Sequence, residues 1–170
     1  SVNVTSHNRW ISNGFIIKQT MSVVSKDRSN KMVKLLDLGC GNIKSGSAWM
    51  AIQKNLRSGR SGPKRNLQIL GVDSCEHPQT QIGTMNIYMA NLMSRFGNTL
   101  FDTENHTDFA TFHCASMTKP LHQSPAPADL IKKLESEEQY DVITCIFAIY
   151  YTFKSAEMFE VFIKNVSRNL

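Results

Sequence analysis

Four short apolar runs punctuate this chain, each closed by a small or acidic residue. The first, Val33-Lys34-Leu35-Leu36-Asp37-Leu38, leads straight into Gly39-Cys40-Gly41-Asn42. The second is Leu67 to Val72, ending in Asp73; the third is Phe109 to Ala115; the fourth is Tyr140 to Ala148. Near-continuous apolar runs of this length predict strands buried on both faces. Helical spacing fills the intervals between them. Trp49, Ile52 and Leu56 form one stripe in a helix expected over Lys44 to Leu56, and Ile82, Met85, Met89, Leu92 and Phe96 form another over Pro78 to Phe96. A short helix is expected over Ala128 to Glu135. A last one starts near Ser155 as N-cap and buries Met158, Phe162, Val166 and Leu170. Residues Ser1 to Val24 read as an extended lead into a helix, with Trp10, Ile17, Met21 and Val24 near one face. Arg57 to Asn66, rich in Gly, Ser, Lys and Arg, is expected to be a surface loop and not core. Ser25 to Lys31, Gly97 to Thr107 and Pro120 to Pro127 read as loops.

Strands alternating with helices predict an α/β fold: a mainly parallel sheet with helices on both faces. The chain has the length of one domain, so residues 1–170 are taken as a single unit, with a helical lead-in over 1–30 and a core over 31–170. No stretch is long and apolar enough to span a membrane, and no signal-peptide pattern opens the chain. The four cysteines, Cys40, Cys75, Cys114 and Cys145, fall near strand ends without CxxC spacing. They are expected to be buried thiols in a reducing compartment, neither disulfide-bonded nor zinc-binding. The sequons at Asn3, Asn105 and Asn165 then read as chance matches. A formal net charge of +5 suits a polyanionic partner such as RNA and equally suits a solvated basic surface. His7, His77, His106 and His122 show no ligand spacing and His113 sits in a strand, so no metal is expected.

The glycine turn carries the most specific chemistry. Gly39 and Gly41 permit positive φ and let a ligand approach the backbone. A dinucleotide turn would want a glycine at position 44, where Lys44 stands, and a phosphate-binding loop would end Gly-Lys-Ser/Thr, which is absent. Asp37 followed by Gly-x-Gly resembles the S-adenosylmethionine site of class I methyltransferases; another α/β turn remains an equal reading of these residues taken by themselves. Asp73, at the end of the second strand, is placed to accept hydrogen bonds from both ribose hydroxyls of a nucleoside, or to act as a strand-end cap.

Further motifs narrow the resemblance. Tyr140-Asp141-Val142-Ile143-Thr144-Cys145-Ile146-Phe147-Ala148-Ile149-Tyr150-Tyr151-Thr152-Phe153-Lys154-Ser155 resembles the segment FDIxxxQFxxHYxFxS of mRNA cap guanine-N-7 methyltransferases. Asn165 to Leu170 is similar to that family's next helix, Asn8-Arg9-Trp10-Ile11 to its NNWIK helix, and Phe112 to Thr118 to its FxxADSS motif. The pieces occur in the family's order over nearly the whole chain. Departures are specific. The family's lysine of NNWIK falls on Ser12, the aspartate of ADSS on Ser116, the glutamine of QFxxHY on Ile146 and the histidine on Tyr150. Its GKGGD turn is Gly41-Asn42-Ile43-Lys44-Ser45 here.

The resemblance implies a Rossmann-like class I methyltransferase fold whose last three strands are missing from this chain. It implies S-adenosylmethionine as cofactor, held by Asp37, Gly39, Cys40, Gly41, Asp73, Ser116, Met117, Ile146, Phe147 and Tyr151. The guanine of a capped mRNA 5′ end would lie against Asn8, Tyr150 and Tyr151. Partners would be capped mRNA and other capping-enzyme domains or subunits, in the nucleus, or in the cytoplasm for a viral protein. Methyl transfer to guanine N-7 needs no deprotonation, so no acid–base residue is expected; Tyr150 and Tyr151 would position the base. Two other readings stand beside it: a methyltransferase of another substrate class, and a non-catalytic methyltransferase-like subunit that binds RNA or regulates a partner enzyme.

Overall fold

A computed structural model describes residues 11–26, 31–41, 46–60, 62–76, 109–136, 139–146 and 148–170. The helix expected over 78–96, the loop over 97–107, Trp10 and the sequons at Asn3 and Asn105 lie outside these residues. A π-helical turn, Ile11–Ile16, leads into helix α1, Ile17–Val24. Then come β1, Met32–Leu38; α2, Gly46–Ser58; β2, Asn66–Asp73; and β3, Ala110–Cys114. Helix α3, Ala128–Ser136, strand β4, Val142–Thr144, a 3-10 helix, Ile149–Lys154, and α4, Ala156–Asn169, complete the described chain.

The described strands form one sheet in the order β3-β2-β1-β4, and every pairing is parallel. Side chains on a strand alternate between faces, and here each face has its own core. Val33, Leu35, Leu67 and Ile69 pack on one side with Val24 of α1 and Trp49, Ile52 and Leu56 of α2. Leu36, Leu38, Leu70 and Val72 pack on the other with Leu130 and Leu134 of α3 and Phe162 of α4. The apolar runs therefore serve both faces, as the α/β expectation requires. Among the described residues no helix is long and apolar enough to cross a membrane.

Three expectations are corrected. The fourth strand was expected over Tyr140 to Ala148, yet only Val142–Thr144 pairs with β1. The last pair is Asp37 with Thr144, one residue before β1 ends at Leu38, and the chain leaves the sheet there. It enters the 3-10 helix instead.

Arg57 to Asn66 was expected to lie wholly outside the core. Its ends do not: α2 runs on to Ser58, while Arg65 and Asn66 are only 2% and 5% exposed. Arg65 Nη1 donates to the Val24 carbonyl at 2.7 Å, tying the end of α1 to the start of β2. Gln53 donates to Asn66 Oδ1 at 3.2 Å and accepts from the Leu67 amide at 2.7 Å. Pairing of this kind is what lets polar groups be buried.

The last helix was expected to bury Leu170 with Phe162. Phe162 is buried, Met158 and Val166 are half-buried, and Leu170 is 56% exposed. The buried face also takes Asn165 and Asn169. Asn165 Nδ2 donates to the carbonyls of Met117 and Lys119, at 3.0 and 2.8 Å, and its Oδ1 accepts from the Leu121 amide at 3.1 Å. This helix therefore clamps the loop that follows β3. Ser155 caps it as expected, its hydroxyl accepting from the Met158 amide at 3.1 Å.

Candidate functional site

Parallel strands end on the same side of a sheet, so the ends of β1, β2, β3 and β4, with Asp37, the glycine turn, Asp73 and Ser116, lie along one rim. The register sets Leu38 beside Val72, Asp73 beside Cys114 and Asp37 beside Thr144. The turn after β1 is tied to β2, because the amides of Gly39 and Cys40 both donate to the Val72 carbonyl, at 2.8 and 3.0 Å.

Both turn glycines adopt the left-handed conformation, Gly39 at φ 72° and Gly41 at φ 54°. Their surroundings differ. A β-carbon on Gly39 would fall 2.6 Å from Ala148 Cβ, with Met117 Sδ at 3.5 Å; one on Gly41 would meet nothing within 4 Å. Gly39 thus lets the chain after β4 pass close beneath the turn, and the backbone of Gly41 is uncovered by any described residue.

Asp73 sits beside that backbone. Its Oδ2 accepts from the Gly41 amide at 3.0 Å, and its Oδ1 accepts from the Cys75 amide at 3.0 Å. An ionised carboxylate offers about four acceptor positions, so each oxygen keeps capacity for another donor. Asp37 lies below the turn and is buried. Its Oδ1 accepts from the Thr144 hydroxyl at 2.9 Å. Burial pushes its carboxyl up to about 7, the Thr144 hydrogen bond works against that rise, and the charge of Asp73 adds to it. Asp37 therefore holds its proton far above the ordinary carboxylate range.

Among the remaining candidates, Cys40 is buried and Met117 is packed under Gly39, where its sulfur accepts from the Cys145 thiol at 3.8 Å. Ser116 is half-buried at the end of β3, its hydroxyl paired with that of Thr118 at 2.8 Å. Ile146 packs against the core on the α1–α2 face. Asn8 and Phe147 lie outside the described residues. His113 stands in β3 with Nδ1 3.2 Å from Asp129 Oδ2.

Tyr150 and Tyr151 stand on the 3-10 helix that begins one residue after Ala148, the residue beneath Gly39. They are 58% and 45% exposed, with ring centroids 4.1 Å apart and planes tilted by 33°. A hydrogen bond to Tyr151 pushes the Tyr150 phenol up. Lys154 Nζ lies 5.6 Å from the centre of the Tyr151 ring. A polar-edged aromatic pair thereby follows closely on Ala148, the residue beneath Gly39.

The cysteine expectation is overturned. Cys75 and Cys114 are joined in a disulfide, with Cα atoms 5.7 Å apart. Spacing along the chain does not reveal this pair; the parallel register does, since Asp73 faces Cys114 and Cys75 follows two residues later. Cys40 and Cys145 are free thiols. Burial, with the charge of Asp37 adding to it, holds the Cys40 thiol high and pushes Cys145 up to about 12. Thr144, which holds Asp37, and Asn165 were also not singled out from the sequence. An Asp-to-Thr match in strand register would have marked the first; an asparagine at a helix position otherwise expected to be apolar would have marked the second. Among the described residues no group of three metal-binding side chains comes together.

No family model matches the chain, and no curated protein matches it. Among solved structures it is similar to the YcgJ protein from Bacillus subtilis, at 18% sequence identity and a TM-score of 0.43. That alignment covers 94% of this chain and 45% of the other, so the chain spans less than half the length of that protein.

Proposed function

We propose that this chain binds S-adenosylmethionine at the Gly39–Gly41 turn and serves methyl transfer to guanine N-7 of the mRNA 5′ cap. The observation that carries the proposal is the Asp73 carboxylate, held by the Gly41 and Cys75 amides with acceptor capacity left on both oxygens. Two vicinal ribose hydroxyls are the donors that such an acceptor pair fits. The open backbone at Gly41 suits a nucleoside lying close against the turn. Bound there, the cofactor supplies an electrophilic methyl group.

The residues of this chain would then bind and orient. Guanine N-7 carries a lone pair at neutral pH, so the acceptor loses no proton before it reacts and no general base is needed. Rate comes from alignment, which needs a flat platform for the base. Tyr150 and Tyr151 offer exposed ring area on the helix that follows Ala148, the residue beneath Gly39. Asp37 would act through Thr144, fixing where the chain leaves β4 toward those tyrosines. The order of cap-methyltransferase motifs supports guanine as the acceptor, and the net charge of +5 suits an RNA partner. Its setting would be the capping machinery, nuclear or, for a viral protein, cytoplasmic.

Calorimetric titration with S-adenosylhomocysteine tests this directly. Binding that Asp73→Ala abolishes, followed by methyl transfer to unmethylated capped RNA, is the expected result. Transfer that cap analogues do not inhibit would move the chain to another substrate class. A folded chain that binds capped RNA but no S-adenosylhomocysteine would be a non-catalytic subunit, the reading favoured by Ser116, Ile146 and Tyr150 standing where the family has aspartate, glutamine and histidine.

A further inference from the structure

We infer that Cys75 and Cys114 form a thiol–disulfide switch that sets how firmly Asp73 is held and so tunes nucleoside affinity. The inference rests on the nucleoside reading of Asp73 and adds its regulation. Asp73 has two fixed partners, and one of them is the amide of Cys75 itself, at 3.0 Å. Cys75 closes the turn Asp73-Ser74-Cys75 in the left-handed conformation, at φ 59°. A residue with a β-carbon adopts that conformation reluctantly. The bond to Cys114, the register partner of Asp73 on β3, pins Cys75 there. With the bond open, the turn is free to relax, and the Cys75 amide can leave Asp73 Oδ1. The carboxylate is then oriented by Gly41 and no longer by both amides.

The pair is built to exchange and its neighbours are not. Cys114 is exposed and Cys75 half-buried, so a thiolate can reach the bond. Cys40 is buried and Cys145 half-buried. Burial beside Asp37 keeps both protonated and unreactive. Opening by a dithiol such as dithiothreitol balances simply. The reductant gives two electrons and two protons and closes to its own disulfide, while the Cys75–Cys114 bond breaks and both sulfurs leave as thiols. In a reducing compartment the loosened form prevails; exchange with an oxidised dithiol, which takes up the two electrons and two protons and leaves as a dithiol, re-forms the bond and firms the site.

The test titrates S-adenosylhomocysteine into the full chain before and after dithiothreitol, with amide hydrogen exchange measured on both forms. Peptide mapping after alkylation verifies which thiols opened. Reduction is expected to weaken binding roughly fivefold, as preorganisation of the carboxylate is lost, and to speed exchange at the Gly41 and Cys75 amides. Cys114→Ser should bind as the reduced form does and ignore dithiothreitol. Equal affinity and unchanged exchange in the two forms would overturn the switch and leave the nucleoside site standing. No binding by either folded form would overturn the nucleoside reading, and with it the ligand that the switch would tune. A reduced chain that loses its circular dichroism would also overturn the switch, since the bond would then be a structural staple.

Discussion

Replacing Gly39 by alanine should cost stability twice over, and a second substitution should return part of the loss. The first cost is local. Gly39 sits at φ 72°, where an L side chain is disfavoured by about 1–2 kcal/mol. The second is steric. The new β-carbon would lie 2.6 Å from Ala148 Cβ, whereas carbons in contact rest about 3.5–4.0 Å apart. Ala148 is a buried residue on the backbone that leads into the 3-10 helix, so no long side chain can swing away. Overpacking of this kind costs about 1–3 kcal/mol. Gly39→Ala should therefore lose about 2–5 kcal/mol.

Ala148→Gly removes the opposing methyl, at an expense of about 1 kcal/mol for lost burial and added chain entropy. In the double variant the steric part disappears and the left-handed part remains. The two losses should then fall short of additivity by about 1–3 kcal/mol. Gly41→Ala is the internal control. It shares the left-handed backbone but faces open space, so it should cost about 1 kcal/mol and gain nothing from Ala148→Gly. Urea unfolding followed by circular dichroism reads all of these, provided the m-value stays constant. Additivity of Gly39→Ala and Ala148→Gly to within about 0.5 kcal/mol would refute the close passage beneath the turn.

Two further substitutions probe the supports of the site. The Asp37 carboxyl rises from its ordinary 3.8 to about 7 in the folded chain, so the folded state binds the proton more tightly than the unfolded one. The stability this confers is complete below pH 3.8 and is lost as the pH rises through about 7. The loss across that window is about 4 kcal/mol. Asp37→Asn, which keeps an acceptor for Thr144, should flatten the decline in urea melts between pH 4.5 and 7.5; parallel curves for the two proteins would reject the buried proton. Asn165→Ala strands two carbonyls and an amide in the loop after β3, and should lower stability by about 2–4 kcal/mol. A thermal shift equivalent to less than about 1 kcal/mol would mean that water replaces the clamp.

The sequence displays what depends on a residue and its near neighbours. The runs over Val33 to Leu38 and Leu67 to Val72 are apolar on both alternating positions because each face of the sheet carries helices, so strand and fold class were both legible. The two glycines flagged the turn because left-handed backbone leaves a mark in residue type. Arg65 and the Cys75–Cys114 bond left no such mark, and Asn165 left only an asparagine on an otherwise apolar helix face, without its partners. Each owes its place to a group far along the chain: Arg65 to Val24, Asn165 to Met117, Cys75 to a strand 39 residues away. The fourth strand shows the same limit from the other side. Tyr140 to Ala148 has strand composition throughout, but only Val142–Thr144 pairs with β1, a limit that composition does not carry.

Asp37 and Asp73 show what that limit means for the site. The sequence puts both at strand ends beside the glycine turn, and the motif resemblance gives both to the cofactor. Their surroundings divide the work between them. Asp73 meets backbone amides and stays half-buried at the rim, suited to donors arriving from outside. Asp37 is enclosed, and its charge is opposed by burial and by Asp73 itself. Two adjacent carboxylates cannot both be ionised cheaply. Burial and the neighbouring Asp73 both make the inner carboxyl hold its proton more tightly than usual. Asp37 is a structural tie: its bond to Thr144 joins the end of β1 to the last paired residue of β4. Past that tie the chain slips under Gly39 and leads into the 3-10 helix that carries Tyr150 and Tyr151. The inner aspartate thereby anchors the segment that runs from the glycine turn toward the aromatic pair.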